Sequence, residues 1–235
     1  MRAPPSSADL AQITRDAARG EPQAQATLAQ WLLDGHSVDR DAPRALHLFL
    51  QAAGQQHAMA ANMAGRCLEN GWGTAVDLPR ATALYLQAAQ AGLDVGMYNY
   101  GNQLASGKAV AQDHRKALSW YSQAASLGHF KSMTKAGRYF EDGLVVPQDL
   151  GQALSSYRQA AEGGDFRGQF CYAGMLAAQG RIDEALQWLR RVPETATPKY
   201  LAEAAAVLLQ SPNEAIRAIG TDYSNAAKVA SSRSV

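Results

Sequence analysis

Residues 93–128 read LDVGMYNYGNQLASGKAVAQDHRKALSWYSQAASLG, and the two halves of this stretch carry separate helical stripes. In the first half Met97, Tyr100, Gly101 and Leu104 recur at the i, i+3, i+4, i+7 spacing of one helix face. Gly107 ends that helix, because the residue past a C-cap takes a positive φ that glycine accepts without a Cβ clash. Lys108 to Gln112 form the connection, with Val110 as an apolar plug. Asp113 then offers a side-chain acceptor to the free N–H groups of a second helix. Ala117, Trp120, Tyr121, Ala124 and Ala125 line the buried face of this second helix, and Gly128 stops it. The stretch is a helix–turn–helix hairpin.

The hairpin recurs along the chain. Ala52-Ala53, Ala88-Ala89, Ala124-Ala125 and Ala160-Ala161 repeat every 36 residues, and Gly35, Gly71, Gly107 and Gly143 keep the same step. So do Asp41, Asp77, Asp113 and Asp149, and Ala45, Ala81, Ala117 and Ala153. A fixed period of this length identifies stacked supersecondary units that bury their faces against their neighbours. Gly65, Gly101 and Gly137 fall in the middle of first helices, where Gly costs about 1 kcal/mol relative to Ala. Their phased recurrence implies close approach of the partner helix, whose alanine pairs present little bulk.

The order of residues in the third copy is Tyr100-Gly101, Leu104, Gly107, Val110, Asp113, Lys116-Ala117, Trp120-Tyr121, Ala124-Ala125, Gly128. This pattern resembles the Sel-one-like repeat, a branch of the tetratricopeptide superfamily, over about residues 21 to 164. The first copy departs from it: Ala29 replaces the helix glycine, and Gly54 arrives two residues early. The resemblance implies an all-α, right-handed α/α superhelical solenoid with N- and C-terminal capping helices. The expected divisions are an N-terminal cap over 1–20, repeats at 21–55, 56–92, 93–128 and 129–164, a degenerate fifth repeat over 165–193, and C-terminal capping helices and tail over 194–235.

In the fifth repeat Gly180 to Ala185 replaces the long connection, while Leu186, Trp188 and Leu189 still mark a buried second helix. Thr197-Pro198 signals a further helix start. Ser211-Pro-Asn-Glu214 reads as a capping box, which predicts helices over 198–210 and 212–228. Leu10, Ile13 and Ala17 give Ser7 to Arg19 one apolar face.

Composition narrows the function. With 22 basic and 21 acidic residues the net charge is +1, which argues against holding nucleic acid through its phosphates. Hydrophobic residues make up 47% of the chain, as expected of a packed fold. No run approaches the roughly 18 apolar residues of a membrane span. No apolar segment follows the charged start as in a secretory signal, so the cytoplasm is the expected compartment. Cys67 and Cys171 are too few for a disulfide framework and read as small core residues.

The sequence carries no catalytic signature. His36, His47, His57, His114 and His129 include no pair at the i, i+4 spacing of a zinc site. Ser132-Met-Thr-Lys135 fits Ser-x-x-Lys, but its companion elements Ser-Asp-Asn and Lys-Thr-Gly are missing. Gly101 to Lys108 has a spacer one residue too long for a phosphate loop, and Ala109 replaces the required hydroxyl. No cofactor, metal or enzymatic activity is expected.

In tetratricopeptide-type solenoids the first helices line a concave peptide groove. Carried over on the helix-glycine register, the resemblance places Asn62 and Arg66, then Tyr98, Asn99 and Asn102, then Lys131, Lys135 and Arg138, on that face. Asn side chains can bond an extended backbone whatever its side chains. Asn99, Lys131 and Lys135 resemble the carboxylate clamp of co-chaperone domains, although Gln23, Ala26 and Gln30 supply no matching basic residue in the first hairpin. The expected partner is another protein or peptide, acidic or carboxylate-terminated, docked across the second to fourth hairpins by an adaptor. A plain solvated helix face would account for the same residues. Two other readings stay open: a stoichiometric immunity-type partner of one effector, and a protein handling a small molecule or glycan. The loop edge at Trp72 is a second candidate surface, where the ring would otherwise cover the hairpin end.

Overall fold

The computed structural model describes residues 7–35 and 38–232, apart from the side chains of Ser7, Ser231 and Ser232. Among these residues there are thirteen α-helices, one 3-10 turn at Val192–Glu194 and no strand. His36, the first six residues of the expected N-terminal cap and the last three of the tail lie outside the described residues. The chain forms two compact units, Met1–Leu127 and Gly128–Val235.

In the first unit α1 (Ser7–Ala18) packs on α2 (Pro22–Asp34). Three hairpins follow: α2 with α3 (Ala42–Gly54), α4 (Ala58–Asn70) with α5 (Leu78–Gln90), and α6 (Asp94–Ser106) with α7 (His114–Ser126). The second unit pairs α8 (Phe130–Asp142) with α9 (Leu150–Glu162), α10 (Phe166–Ala178) with α11 (Ile182–Arg191), and α12 (Pro198–Leu208) with α13 (Glu214–Ser232).

The expected punctuation is in place. Asp41, Asp77, Asp113 and Asp149 each accept the N–H three residues on, at 3.0, 3.1, 2.9 and 2.8 Å. Gly35, Gly71, Gly107 and Gly143 end α2, α4, α6 and α8 in the left-handed conformation. In α7, Ala117, Tyr121 and Ala124 are buried, while Trp120 and Ala125 are half-buried.

The mid-helix glycines do mark a close approach, but to a tyrosine ring and not to the alanine pairs. A Cβ on Gly65, Gly101 or Gly137 would lie 2.8, 2.7 or 2.8 Å from Cε1 of Tyr85, Tyr121 or Tyr157. The phenol groups then reach acceptors on the facing first helix: Tyr85 donates to Glu69 at 2.7 Å, Tyr121 to Asn102 at 2.8 Å and Tyr157 to Glu141 at 2.6 Å. The first hairpin changes all three partners together. Phe49 replaces the tyrosine, Ala29 the glycine and Leu33 the acceptor, and all three are buried.

The alanine pairs serve the next joint instead. A Cβ on Gly96 or Gly168 would lie 2.7 or 2.5 Å from the Cβ of Ala88 or Ala160, so the second hairpin abuts the start of the third and the fourth abuts the start of the fifth. The pairs also close the second helices. Gly92 N–H bonds to Ala89 C=O at 3.0 Å and Leu93 N–H to Ala88 C=O at 3.1 Å, the two bonds of a Schellman turn. In the first hairpin Gln56 holds this position with φ 65°, the one positive φ among described residues other than glycine.

At the C-terminal end Thr197 caps α12 as expected, accepting Tyr200 N–H at 3.3 Å. The capping box at Ser211 does not form. Asn213 caps α13 instead, accepting Ile216 N–H at 3.2 Å, and Ser211 Oγ accepts Asn213 N–H at 3.2 Å. Arg217 donates to the Ser211 and Pro212 carbonyls, each at 2.8 Å, which holds this pair as a turn ahead of the helix.

Two substitutions follow from this packing. Gly101→Leu should destabilise the chain by about 1–3 kcal/mol through overpacking against Tyr121. Gln56→Gly should stabilise it by roughly 0.5–1 kcal/mol, because the left-handed conformation costs a residue with a Cβ about 1–2 kcal/mol, and the extra backbone entropy that glycine loses on folding offsets only part of the relief. Urea unfolding of the two variants checks both signs.

Candidate functional site

In the first compact unit the expected site residues are largely engaged within the fold. Asn62 on α4 is 2% exposed, and its Oδ1 accepts from Asn99 Nδ2 on α6 at 2.8 Å. Asn102 Oδ1 takes the Tyr121 hydroxyl, and the Tyr98 ring lies 6.1 Å from the Tyr121 ring. These bonds leave Asn99 its carbonyl oxygen and Asn102 its amide N–H groups for a ligand. Arg66 is exposed, with its guanidinium 5.3 Å over the Trp72 ring. Trp72 itself is half-buried against the unit's core and so covers the hairpin end. Glu69 is fully engaged, accepting from Tyr85 and, at 2.7 Å, from Gln103 Nε2.

The second unit gathers charge. Lys131, Lys135 and Arg138 on α8 and Arg167 on α10 are all exposed. Lys131 stands one turn before Lys135 on the same helix face. The Lys135 ammonium titrates below the usual lysine range. Partial desolvation is the main cause, followed by the positive charges of Arg167 and Arg138, with Asp165 opposing. Asp165 is buried and occupied: its carboxylate accepts from Thr134 Oγ1 at 2.6 Å and from Gly168 N–H at 3.0 Å, capping α10. Among the described residues the one acid paired to this group is Asp142, 3.9 Å from Arg138 and exposed, a contact worth little in water.

Aromatic rings border the basic group. The Arg167 guanidinium lies 4.4 Å from the centre of the Phe166 ring and 5.3 Å from that of Tyr200. The Tyr200 ring stands edge-on to Phe166 at 4.7 Å and to Phe170 at 6.0 Å. Arg167 and Phe170 are legible on the repeat register. Tyr200 is not, because it lies on α12 beyond the last copy that keeps the register.

Recesses open on the first helices in both units. In the first unit a groove of about 410 Å³ lies between α2 and α4, lined by residues including Gln23, Thr27, Gln30, Trp31, Met59 and Met63. In the second a recess of about 280 Å³ is walled by Phe170, Gly174 and Ala177 of α10, Val207 and Leu208 of α12 and Ile216 of α13, with Leu189 also contributing.

Two histidines and the serine of the Ser-x-x-Lys tetrapeptide have structural roles. His57 Nδ1 caps α4, accepting Ala60 N–H at 3.1 Å, and His129 Nδ1 caps α8, accepting Ser132 N–H at 3.2 Å. Sequence spacing gave no sign of this, because both histidines occupy a position held by Leu93 and Asp165 in other copies. Ser132 of the Ser-x-x-Lys tetrapeptide is fully buried, and its hydroxyl meets His129. Among the described residues no three His, Cys, Asp or Glu cluster as metal ligands, and no helix is long and apolar enough to cross a membrane.

Helix hairpins on a 36-residue step, keyed by tyrosine on glycine, define a helical repeat protein of the tetratricopeptide type. The Sel1 repeat profile matches residues 22–57, 58–93, 94–129 and 131–165, and the chain belongs to the Sel1 repeat family. Its fold is similar to that of a Sel1 repeat protein from Oxalobacter formigenes (TM-score 0.79, 24% identity, covering 89% of this chain and 86% of that one). It is also similar to a protective antigen of uropathogenic Escherichia coli displaying an SLR fold (TM-score 0.75, 22% identity, 93% of this chain), of which it spans only 48%. An immunity protein of Pseudomonas aeruginosa shares the fold at TM-score 0.59 and 17% identity, over 90% of this chain and 82% of that one. No curated protein matches the chain by sequence.

Burial raises both thiols from 9.0 to about 11, with Arg66 opposing at Cys67, and with Glu141 adding to the rise and Arg138 opposing it at Cys171. The folded chain therefore keeps thiol protons that the unfolded chain releases. Their contribution to stability is complete below pH 9 and is lost as pH rises towards 11. The urea midpoint should fall across that interval, and less so in a Cys67→Ala/Cys171→Ala variant. At pH 8 iodoacetamide should modify the native chain far more slowly than the urea-unfolded one.

Proposed function

We propose that this chain is a non-enzymatic interaction scaffold that holds an acidic or carboxylate-terminated segment of another protein on its first-helix surface. The observation that carries the reading is the basic group of the second unit. Lys131, Lys135 and Arg167 have no ion-pair partner among the described residues, and the Lys135 ammonium is disfavoured first by partial desolvation and then by its cationic neighbours. A carboxylate set among these residues would relieve that repulsion and accept several charge-assisted hydrogen bonds. Asn99 and Asn102 in the first unit keep polar groups suited to an extended backbone.

The fold shared with immunity proteins supports a second reading, in which the scaffold neutralises one effector. The two differ in stoichiometry: an immunity-type protein has a single tight partner bound one to one, whereas an adaptor has several.

Lys131→Glu/Lys135→Glu should abolish partner capture from native lysate while leaving the circular-dichroism spectrum unchanged. Mass spectrometry of the captured proteins, with and without the two changes, identifies the partner and its ratio to the chain. Recovery of the same partner by the charge-reversed protein overturns the assignment.

A further inference from the structure

The recess between α10 and α12 has a feature that the internal packing does not explain. Gly137 and Gly168 make room for Tyr157 and the Ala160 methyl, but a Cβ on Gly174 would meet nothing within 4 Å. Gly174 lies inside α10, and its φ is not among the positive ones. A helix-interior glycine is destabilising relative to alanine, and here neither backbone conformation nor a neighbouring side chain requires it. Its effect is to hold open a recess whose walls include Phe170, Ala177, Val207 and Ile216, with Gln210 and Ser211 as the polar part of the lining. Val207 leaves 61% of its surface in solvent at this site. The volume of about 280 Å³ falls at the lower edge of the range for small-molecule sites, and the lining includes no ionisable side chain to orient a metabolite.

The recess continues the basic group. Arg167, Phe170, Gly174 and Ala177 follow the three- and four-residue spacing of one face of α10. Arg167 stacks over Tyr200, Tyr200 stands against Phe170, and Phe170 walls the recess. Arg167 and Gly174 are seven residues apart, about 10 Å along the helix, a distance an extended peptide covers in about three residues.

We infer that the second unit recognises a two-part segment of a partner protein: an acidic stretch set among Lys135, Arg138 and Arg167, and a bulky apolar side chain about three residues away that enters the recess at Gly174. The acidic half rests on the function proposed above, and the apolar half is new. Charge supplies steering and register, and the buried side chain supplies selectivity.

Fluorescence anisotropy with the full chain and labelled twelve-residue probe peptides tests this. One peptide carries three consecutive Asp or Glu residues and a Leu three positions beyond. In the second the Leu is Ser, in the third the acids are Asn and Gln, and in the fourth the Leu stands three positions further out. The first should bind at least about tenfold more tightly than the second and fourth, the order expected for burying one leucine side chain. The third should not bind measurably. Gly174→Leu fills open space with a better helix former, so it should preserve the melting temperature while reducing the first peptide to the affinity of the second. Val207→Ser, at an exposed wall, should weaken the first peptide alone. Arg167→Gln should weaken both the first and the second. Equal binding of the first two peptides, or indifference of the first to both Gly174→Leu and Val207→Ser, overturns the inference and leaves the acidic-segment reading intact. Absence of binding by every acidic peptide overturns both.

Discussion

A phenol ring laid against a helix backbone with no side chain beneath it is the contact on which the regular hairpins depend. The mid-helix glycine costs about 1 kcal/mol, and burying an aromatic ring returns about 1.5–3 kcal/mol, so the exchange favours folding. The ring then sets how closely the two helices approach, and its hydroxyl sets their rotation by reaching Glu69, Asn102 or Glu141. The hydroxyl and its acceptor have to change together, because a buried polar group without its partner costs about 1–3 kcal/mol. The first hairpin shows this coupling, with Phe49 facing a register in which Leu33 stands where Glu69 and Glu141 stand in other copies.

Much of this architecture is legible in the sequence because it is written several times. Asp caps, left-handed glycines and alanine pairs recur in phase, and a position that repeats with its chemistry intact declares its role. The partner of the mid-helix glycine was harder to assign. Spacing shows that something comes close, but the choice between tyrosine and alanine depends on helix rotation, which the period leaves open. Where the repetition ends, local signals compete. Ser211 and Asn213 are both good capping residues, and Arg217 bonding back to two carbonyls settles the choice through a contact that no local pattern encodes.

The candidate site divides along the same line. Lys131, Lys135 and Arg138 are legible on the register of a single helix, and their exposure agrees with it. Asn62 is not the surface group its position suggests, because Asn99 reaches across from the next hairpin and covers it with a hydrogen bond. Tyr200 and the walls contributed by α12 come from outside the repeat. Their juxtaposition with Arg167 follows from the three-dimensional packing of α10 against its successor, which no period describes.

The seating of tyrosine on glycine also bears on how such a chain can change length over generations. One residue inserted within a helix turns everything beyond it by about 100°, which would carry the ring off its glycine in that hairpin. A duplicated or deleted block of 36 residues restores every pairing in phase. Connections are exempt from this rule, as the contracted link at Gly180 shows, since α10 and α11 still form a hairpin across it. The number of copies and the lengths of the loops are therefore free to drift, while the helix interior is held to whole-copy steps.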